Sequence, residues 1–245
     1  MARFGNVLAL VLALVSGARG AVPDVWLEQA EDGRLAGGFG YNFIIGTYYE
    51  WNTDPTAIPG LFDEYARRTG VQAEIDFLPV NLADPELGRN PLVIMTGNRH
   101  FVLTDEEIAN LRTYLGNGGF LYADDCGGAD QSFRRMLSRV LGDVELKPIP
   151  LEHPLFRAYY EIERLPKIVD LYQGPPMAFG AWIDDRLAVI YTYDTDIPCG
   201  WEKHPDGSFV HVLAPEKHER SIRFGINVLH YALRQRLAGT EAEAP

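Results

Sequence analysis

Residues 91–130 read PLVIMTGNRHFVLTDEEIANLRTYLGNGGFLYADDCGGAD, and the order of elements in this stretch decides the fold. Pro91–Thr96 is a continuous apolar run, of the kind that forms a strand covered on both faces. Thr104-Asp105-Glu106-Glu107 is a capping box, in which the Thr104 hydroxyl and the Glu107 carboxylate satisfy backbone donors left free at a helix start. Ile108, Leu111 and Leu115 then recur at three and four residues, and Gly116-Asn117-Gly118-Gly119 stops the helix. A second apolar run, Phe120–Ala123, precedes a helix opened by Asp130 that carries Phe133, Met136, Leu137, Val140 and Leu141 on one face. Strand, helix, strand, helix in this rhythm requires crossover connections, and so predicts an α/β fold with a mainly parallel sheet.

The pattern extends in both directions. Tyr41–Thr47 is apolar and β-prone, a first strand. A helix is expected over Thr56–Thr69 with Leu61, Phe62, Tyr65 and Ala66 on one face and Gly70 as its stop. Val71–Leu78 alternates apolar and polar residues, as a partly exposed strand does. Residues 144–185 are irregular and proline-rich, an insert of short strands or loops. Arg186–Tyr193 returns to the strand pattern. A closing helix from Pro215 to about Leu237 turns Ile222, Ile226, Leu229 and Leu233 inward, and residues 239–245 are expected to be disordered. Residues 21–238 thus form a single domain, a size that suits one substantial core.

The first twenty residues have the form of a secretory signal peptide: Arg3, the apolar run Val7–Val15, then Ala18 and Gly20 before cleavage at Ala21. The run is too short to span a bilayer, so no stable membrane anchor is expected after cleavage, and the location expected is periplasmic or secreted. Cleavage removes Arg3 and Arg19 and no acid, which takes the formal charge from −12 to −14. So acidic a surface repels phosphate backbones, and nucleic acid is excluded as a partner. A small molecule or a protein remains.

In open α/β sheets, ligands bind beyond the carboxyl ends of the strands. Four loops on that edge carry chemistry. Tyr48, Tyr49 and Trp51 follow the first strand. Asn98, Arg99 and His100 follow the PLVIMT strand. Asp124, Asp125 and Cys126 end the next, and Asp194, Asp196, Cys199, Trp201 and Glu202 follow the last. Asp125 and Cys126 are expected to line a cleft there, with His153 or His100 as available bases. Asn98, Arg99, Asp124, Asp194, Trp51 and Trp201 are the expected ligand contacts. No cofactor is required, but the aspartates with Asp194, Asp196 or His100 could hold a divalent metal such as Ca²⁺ or Mg²⁺. Cys126 and Cys199, the two cysteines of the chain, read either as one disulfide of an exported protein or as free thiols. No Gly-x-Ser-x-Gly elbow or phosphate-loop Gly-Lys-Ser/Thr is present.

The run NPLVIMTGNRHFVLTDEEIANLRTYLGNGGFLYADDCGG, the segments LEHPLFRAYY and DDRLAVIYTYD with GWE at 200–202, and FGINVLHYAL resemble the bacterial family called domain of unknown function 4159. The resemblance covers about residues 38–236. It implies a flavodoxin-like three-layer sandwich similar to class I glutamine amidotransferases, and it attaches no particular enzymatic activity to the chain. In those enzymes a Gly-x-Cys-x-Gly elbow follows the strand after a GG pair. Here Cys126 stands at the cysteine and Gly128 at the later glycine, but Asp124 replaces the earlier glycine. Adjacent acids raise a thiol's pKa and weaken it as a nucleophile. The His-x-Glu pair has no counterpart. The expected function is therefore a noncatalytic ligand- or protein-binding module. The alternative is a hydrolase of a small amide or carbohydrate-like substrate, using Cys126 with a histidine or an Asp-bound metal.

Overall fold

The computed structural model describes residues 26–29, 35–38, 54–70, 81–170 and 173–242. The expected signal peptide, the strands at Tyr41–Thr47 and Val71–Leu78, and Trp51 lie outside these residues. Two short strands, β1 (Trp26–Gln29) and β2 (Leu35–Gly38), pair antiparallel as a separate ribbon. Helix α1 spans Ala57–Thr69, β3 Val93–Gly97, α2 Asp105–Gly116, β4 Leu121–Asp125 and α3 Asp130–Leu141. Then come β5 (Lys147–Pro148), β6 (Phe179–Ile183), β7 (Arg186–Tyr193) and α4 (Pro215–Ala242).

The main sheet has the order β3-β4-β7-β6-β5. β3, β4 and β7 run parallel, in a register that places Gly97 opposite Asp125 and Asp125 opposite Tyr193. The 144–185 segment adds β6 and β5 as antiparallel strands, so the sheet is mixed. Strand alternation sends Ile94, Tyr122 and Ile190 into a core shared with α1 and α4. Val93, Met95, Leu121, Ala123, Val189 and Tyr191 enter the opposite core, against α2 and α3. Helices therefore cover both faces, and both faces of β3 and β4 are buried, as the apolar runs Val93–Met95 and Leu121–Ala123 require.

The helix ends follow their expected chemistry. Gly70 closes α1 in the left-handed region (φ 72°) and its N–H bonds Ala66 O. Both halves of the Thr104–Glu107 capping box are formed. Thr104→Ala removes one of them and is expected to cost about 1 kcal/mol, read as a lowered urea midpoint with unchanged slope. α4 extends beyond Leu237 to Ala242, so residues 239–242, expected to be disordered, are helical; Ala238, Glu241 and Ala242 are good helix formers and carry the backbone on. Among the described residues no helix is long and apolar enough to cross a membrane.

Three close approaches set the geometry of the carboxyl edge. A short 3₁₀ turn, Ile197–Trp201, follows β7 and lies against both α1 and α4. Gly60 of α1 faces the Trp201 carbonyl, Gly225 of α4 faces Leu61 and the Trp201 ring, and Gly200 faces Ser221. The Trp201 indole N–H donates to Ser221 O at 2.8 Å, which seats the ring in the core. A hairpin then folds back over the turn: Lys203 bridges Phe209, and Val210 N–H donates to Glu202 O at 3.0 Å. Lys203 ties this hairpin to α1 through Glu64 (2.6 Å) and Asp63 (3.1 Å).

Candidate functional site at the carboxyl edge of the sheet

Asp124 and Asp125 end β4, and because strand side chains alternate they leave on opposite faces. Asp124 turns toward the α1–α4 side. Its Oδ2 accepts hydrogen bonds from the hydroxyls of Thr192, Tyr122 (3.2 Å) and Thr195 (3.2 Å). Asp125 turns toward α3. Its Oδ1 accepts from Gly128 N (3.0 Å) and Ala129 N (2.6 Å), while Oδ2 is buried without a partner. Asp125 thus satisfies the backbone donors ahead of α3 itself, and the helix start is closed to an outside anion by the chain's own carboxylate.

Cys126 shares the face of Asp124. Its thiol donates to Asp54 Oδ2 (3.5 Å) and Asp124 Oδ1 (3.6 Å), and its N–H bonds Gly97 O (2.9 Å). Asp54 lies just before α1, whose first N–H, that of Ala57, bonds Asp54 O at 3.0 Å. Cys199, in the 3₁₀ turn, donates to Asp54 Oδ1 (3.3 Å) and Asp196 Oδ1 (3.1 Å). Three carboxylates and two free thiols, all buried, therefore meet at one point. The backbone holds Asp194 and Asp196 at φ 51° and 57°, the left-handed region that Asp tolerates better than most residues. That reversal is what brings Asp196 back over the strand end.

The electrostatics follow from crowding buried acids together. Burial pushes the Asp124 carboxyl up to about 8, opposed by its bond from Thr192 and reinforced by Asp196 and Asp54. Burial, then the Asp54 and Asp124 charges, raise the Cys126 thiol well above its ordinary value. Cys199 moves the same way, from burial and then Asp54 and Asp196. Asp196 is also raised, chiefly by burial. The thiols are protonated near neutrality, and the cluster holds protons that free carboxyls in water would release.

Beside this cluster lies a second one. Glu202 follows Trp201, and the 203–210 hairpin returns His211 to it, with His211 Nε2 at 2.7 Å from Glu202 Oε2. Glu202 Oε1 accepts from the Thr56 hydroxyl at 3.1 Å. His218, stacked on Phe209, has its two ring nitrogens facing the carbonyl oxygens of Gly200 and His211, each at 3.0 Å. Cys199 Sγ, a Glu202 oxygen and a His211 nitrogen all lie within 4.8 Å of one another, as do ligand atoms of Asp54, Cys126 and Asp196.

The structure redistributes several residues expected at a cleft. His153 is at the other end of the sheet. It packs on Trp182 and Tyr231, and Trp182 pairs with Leu187 near the start of β7, about 20 Å from Tyr193 at roughly 3.3 Å per residue. His100 is exposed on the α3 side, with Nδ1 at 3.5 Å from the Ser132 hydroxyl. Neither is a base for Cys126. Trp201 is 1% exposed and belongs to the core, so it offers no face to a ligand. Asp125 points away from Cys126, because adjacent strand residues cannot share a face. Asp194, half-buried, accepts from Gln173 N at 3.3 Å. Asn98 and Arg99 lie on the exposed loop after β3.

Asp54, Glu202 and His211 carry more of the site than the sequence suggested. Asp54 stands two residues before Thr56 and reads as a turn residue ahead of a helix. The hairpin had a signal, the Asp206-Gly207 pair between Glu202 and His211, since Asp-Gly favours tight hairpin turns.

Residues 41–233 match the family model described as Domain of unknown function (DUF4159). The chain belongs to this family. A comparison with curated proteins gives no match. The family match covers every residue of the two clusters.

Proposed function

We propose that this DUF4159 protein is an exported, noncatalytic module that binds a small ligand or a protein partner at the carboxyl edge of its sheet. One observation carries the reading. Cys126, at the position a nucleophile would occupy, is bonded to two carboxylates and to no imidazole. Catalysis through a thiol requires a thiolate, which needs a nearby base or positive charge. The setting here favours the protonated thiol instead. Nor is Cys126 strained as an elbow nucleophile is: among the described residues, the non-glycine positions with positive φ are Asp184, Asp194 and Asp196.

We also assign the fold to the flavodoxin-like sheets of the class I glutamine amidotransferases. The parallel set β3-β4-β7, the helices on both faces and the Cys126 turn at the end of β4 support that assignment. On this reading the edge has kept the binding position of such folds while Asp124, standing where the elbow needs a glycine, removes the chemistry.

The test is alkylation of the folded protein followed by intact mass. Without reductant, iodoacetamide is expected to label neither thiol at neutral pH in the native state, and both after unfolding in denaturant. Fast labelling of native Cys126, with a rate that titrates at or below neutral pH, would sink the proposal in favour of a thiol hydrolase. Labelling that appears only after reduction would show a disulfide and contradict the free thiols described above.

A further inference from the structure

We infer that Cys199, Glu202 and His211 form a binding site for a divalent transition-metal ion of the zinc class. The inference names a ligand for the edge that the binding-module reading leaves open, and it rests on that reading only in denying Cys199 a catalytic role.

The donor set makes the argument. One sulfur, one carboxylate oxygen and one imidazole nitrogen lie within 4.8 Å of one another. In a tetrahedral zinc site, bonds of about 2.0–2.3 Å put ligand atoms roughly 3.3–3.8 Å apart. The three donor atoms therefore already lie near the spacing such a site needs. Thiolate and imidazole select zinc-like ions, whereas Ca²⁺ and Mg²⁺ take oxygen shells. Where Asp124 and Asp125 with Asp194, Asp196 or His100 would suit a hard cation, this donor set suits a softer one. A Cys199 thiolate and a Glu202 carboxylate neutralise a 2+ ion, and a neutral His211 adds no charge.

The surroundings are those of a held ligand set. Glu202 Oε1 is fixed by the Thr56 hydroxyl, leaving Oε2 directed at His211. His218 reaches both the carbonyl before Trp201 and that of His211, and so locks the 3₁₀ turn to the returning hairpin strand. Such outer contacts are what orient metal ligands. Access exists from one side, because the His211 side chain is 39% exposed while Glu202 is 7% exposed. Three protein ligands with one open side leave a fourth position for water or for a group from a partner. An ion pair between His211 and Glu202 accounts for those two residues, and the hydrogen bonds of Cys199 to Asp54 and Asp196 hold its thiol within reach of both. The neighbouring set of Asp54, Cys126 and Asp196 also converges, but it has no imidazole.

Cobalt titration tests the assignment, because a thiolate bound to Co²⁺ gives a charge-transfer band in the near ultraviolet. The metal-free protein is expected to bind a single Co²⁺, to show that band, and to lose it when Zn²⁺ is added. Cys199→Ser should abolish the band and Cys126→Ser should keep it. His211→Ala, on the returning hairpin, should weaken binding more than Thr56→Val. The latter alters an outer contact and is expected to cost about 10–100-fold in affinity. No band at all, or a band that survives Cys199→Ser and disappears in Cys126→Ser, overturns the proposal. If the band is absent and the native thiols stay inert to iodoacetamide, the metal site fails and the binding-module reading survives. If native Cys126 alkylates fast while the band is present, the reverse holds.

Discussion

Replacing Asp124 by Asn is expected to flatten a loss of stability that the parent protein should undergo between about pH 4 and pH 8. The folded state holds the Asp124 proton up to about 8, against an ordinary carboxyl value of 3.8. The folded chain therefore binds more protons than the unfolded chain throughout this window, and stability must fall as pH rises. The contribution is fully present below the unfolded value, and it is lost by the time pH passes the folded one. One proton corresponds to about 1.4 kcal/mol per pH unit, which sums to on the order of 5 kcal/mol across the window. That is comparable with the whole stability of many domains. Asn is close in shape to the protonated acid and has no proton to lose. Urea midpoints from pH 4 to pH 8 should therefore show a slope smaller by one proton in Asp124→Asn than in the parent. Parallel slopes in the two proteins would mean that Asp124 ionises normally and that the buried cluster is wetter than described. Asp196, raised for the same reason of burial, leaves a residual slope in the variant.

Gly60→Ala is expected to destabilise the protein, although glycine to alanine inside a helix ordinarily gains up to about 1 kcal/mol. An alanine Cβ at position 60 would stand 2.1 Å from the carbonyl oxygen of Trp201. That atom is backbone and cannot rotate away, so α1 must move off the 3₁₀ turn. Overpacking of this kind typically costs about 1–3 kcal/mol, more than the helix gain returns. The displacement also reaches the site, since α1 begins beside Asp54 and Thr56 and the turn continues into Glu202. Gly116→Ala is the control. It lies in the last turn of α2 with open space around it, and should be neutral or slightly stabilising. Thermal or urea unfolding of both variants checks the pair. A Gly60→Ala protein as stable as the parent would mean that α1 and the turn are not in the contact described.

Much of this fold was legible from residues 91–130 and 186–233, because local chemistry decides those elements. A capping box, a glycine stop or a run of β-branched residues acts within a few positions, and α2, α3, β3 and β7 lie where their patterns put them. The reach of β4 to Asp125 and of α4 to Ala242 was less visible, since polar residues at element ends look like loop. The family assignment could likewise be read from local motifs, and residues 41–233 bear it out.

The site divides along the same line. That acids and a thiol collect at the end of β4 is a property of the chain order. Which of them face each other is not, for three physical reasons. Alternation along β4 separates Asp124 from Asp125, so neighbours in sequence serve different faces. The left-handed residues Asp194 and Asp196 reverse the chain after β7, and whether a residue takes positive φ depends on what it then packs against. Asp54, Cys126 and Cys199 come together only because α1 and the 3₁₀ turn approach within the width of a glycine, a contact spanning 145 residues between Asp54 and Cys199. By itself the sequence determined the layers, the start of α2, the stops of α1 and α2, the family and the edge at which acids and thiols gather. The tertiary structure decided the pairs, moving His153 to the far end of the sheet and Trp201 into the core, and setting His211 beside Glu202 and Cys199. Pairing across such distances is set by packing between elements, and no local pattern encodes it.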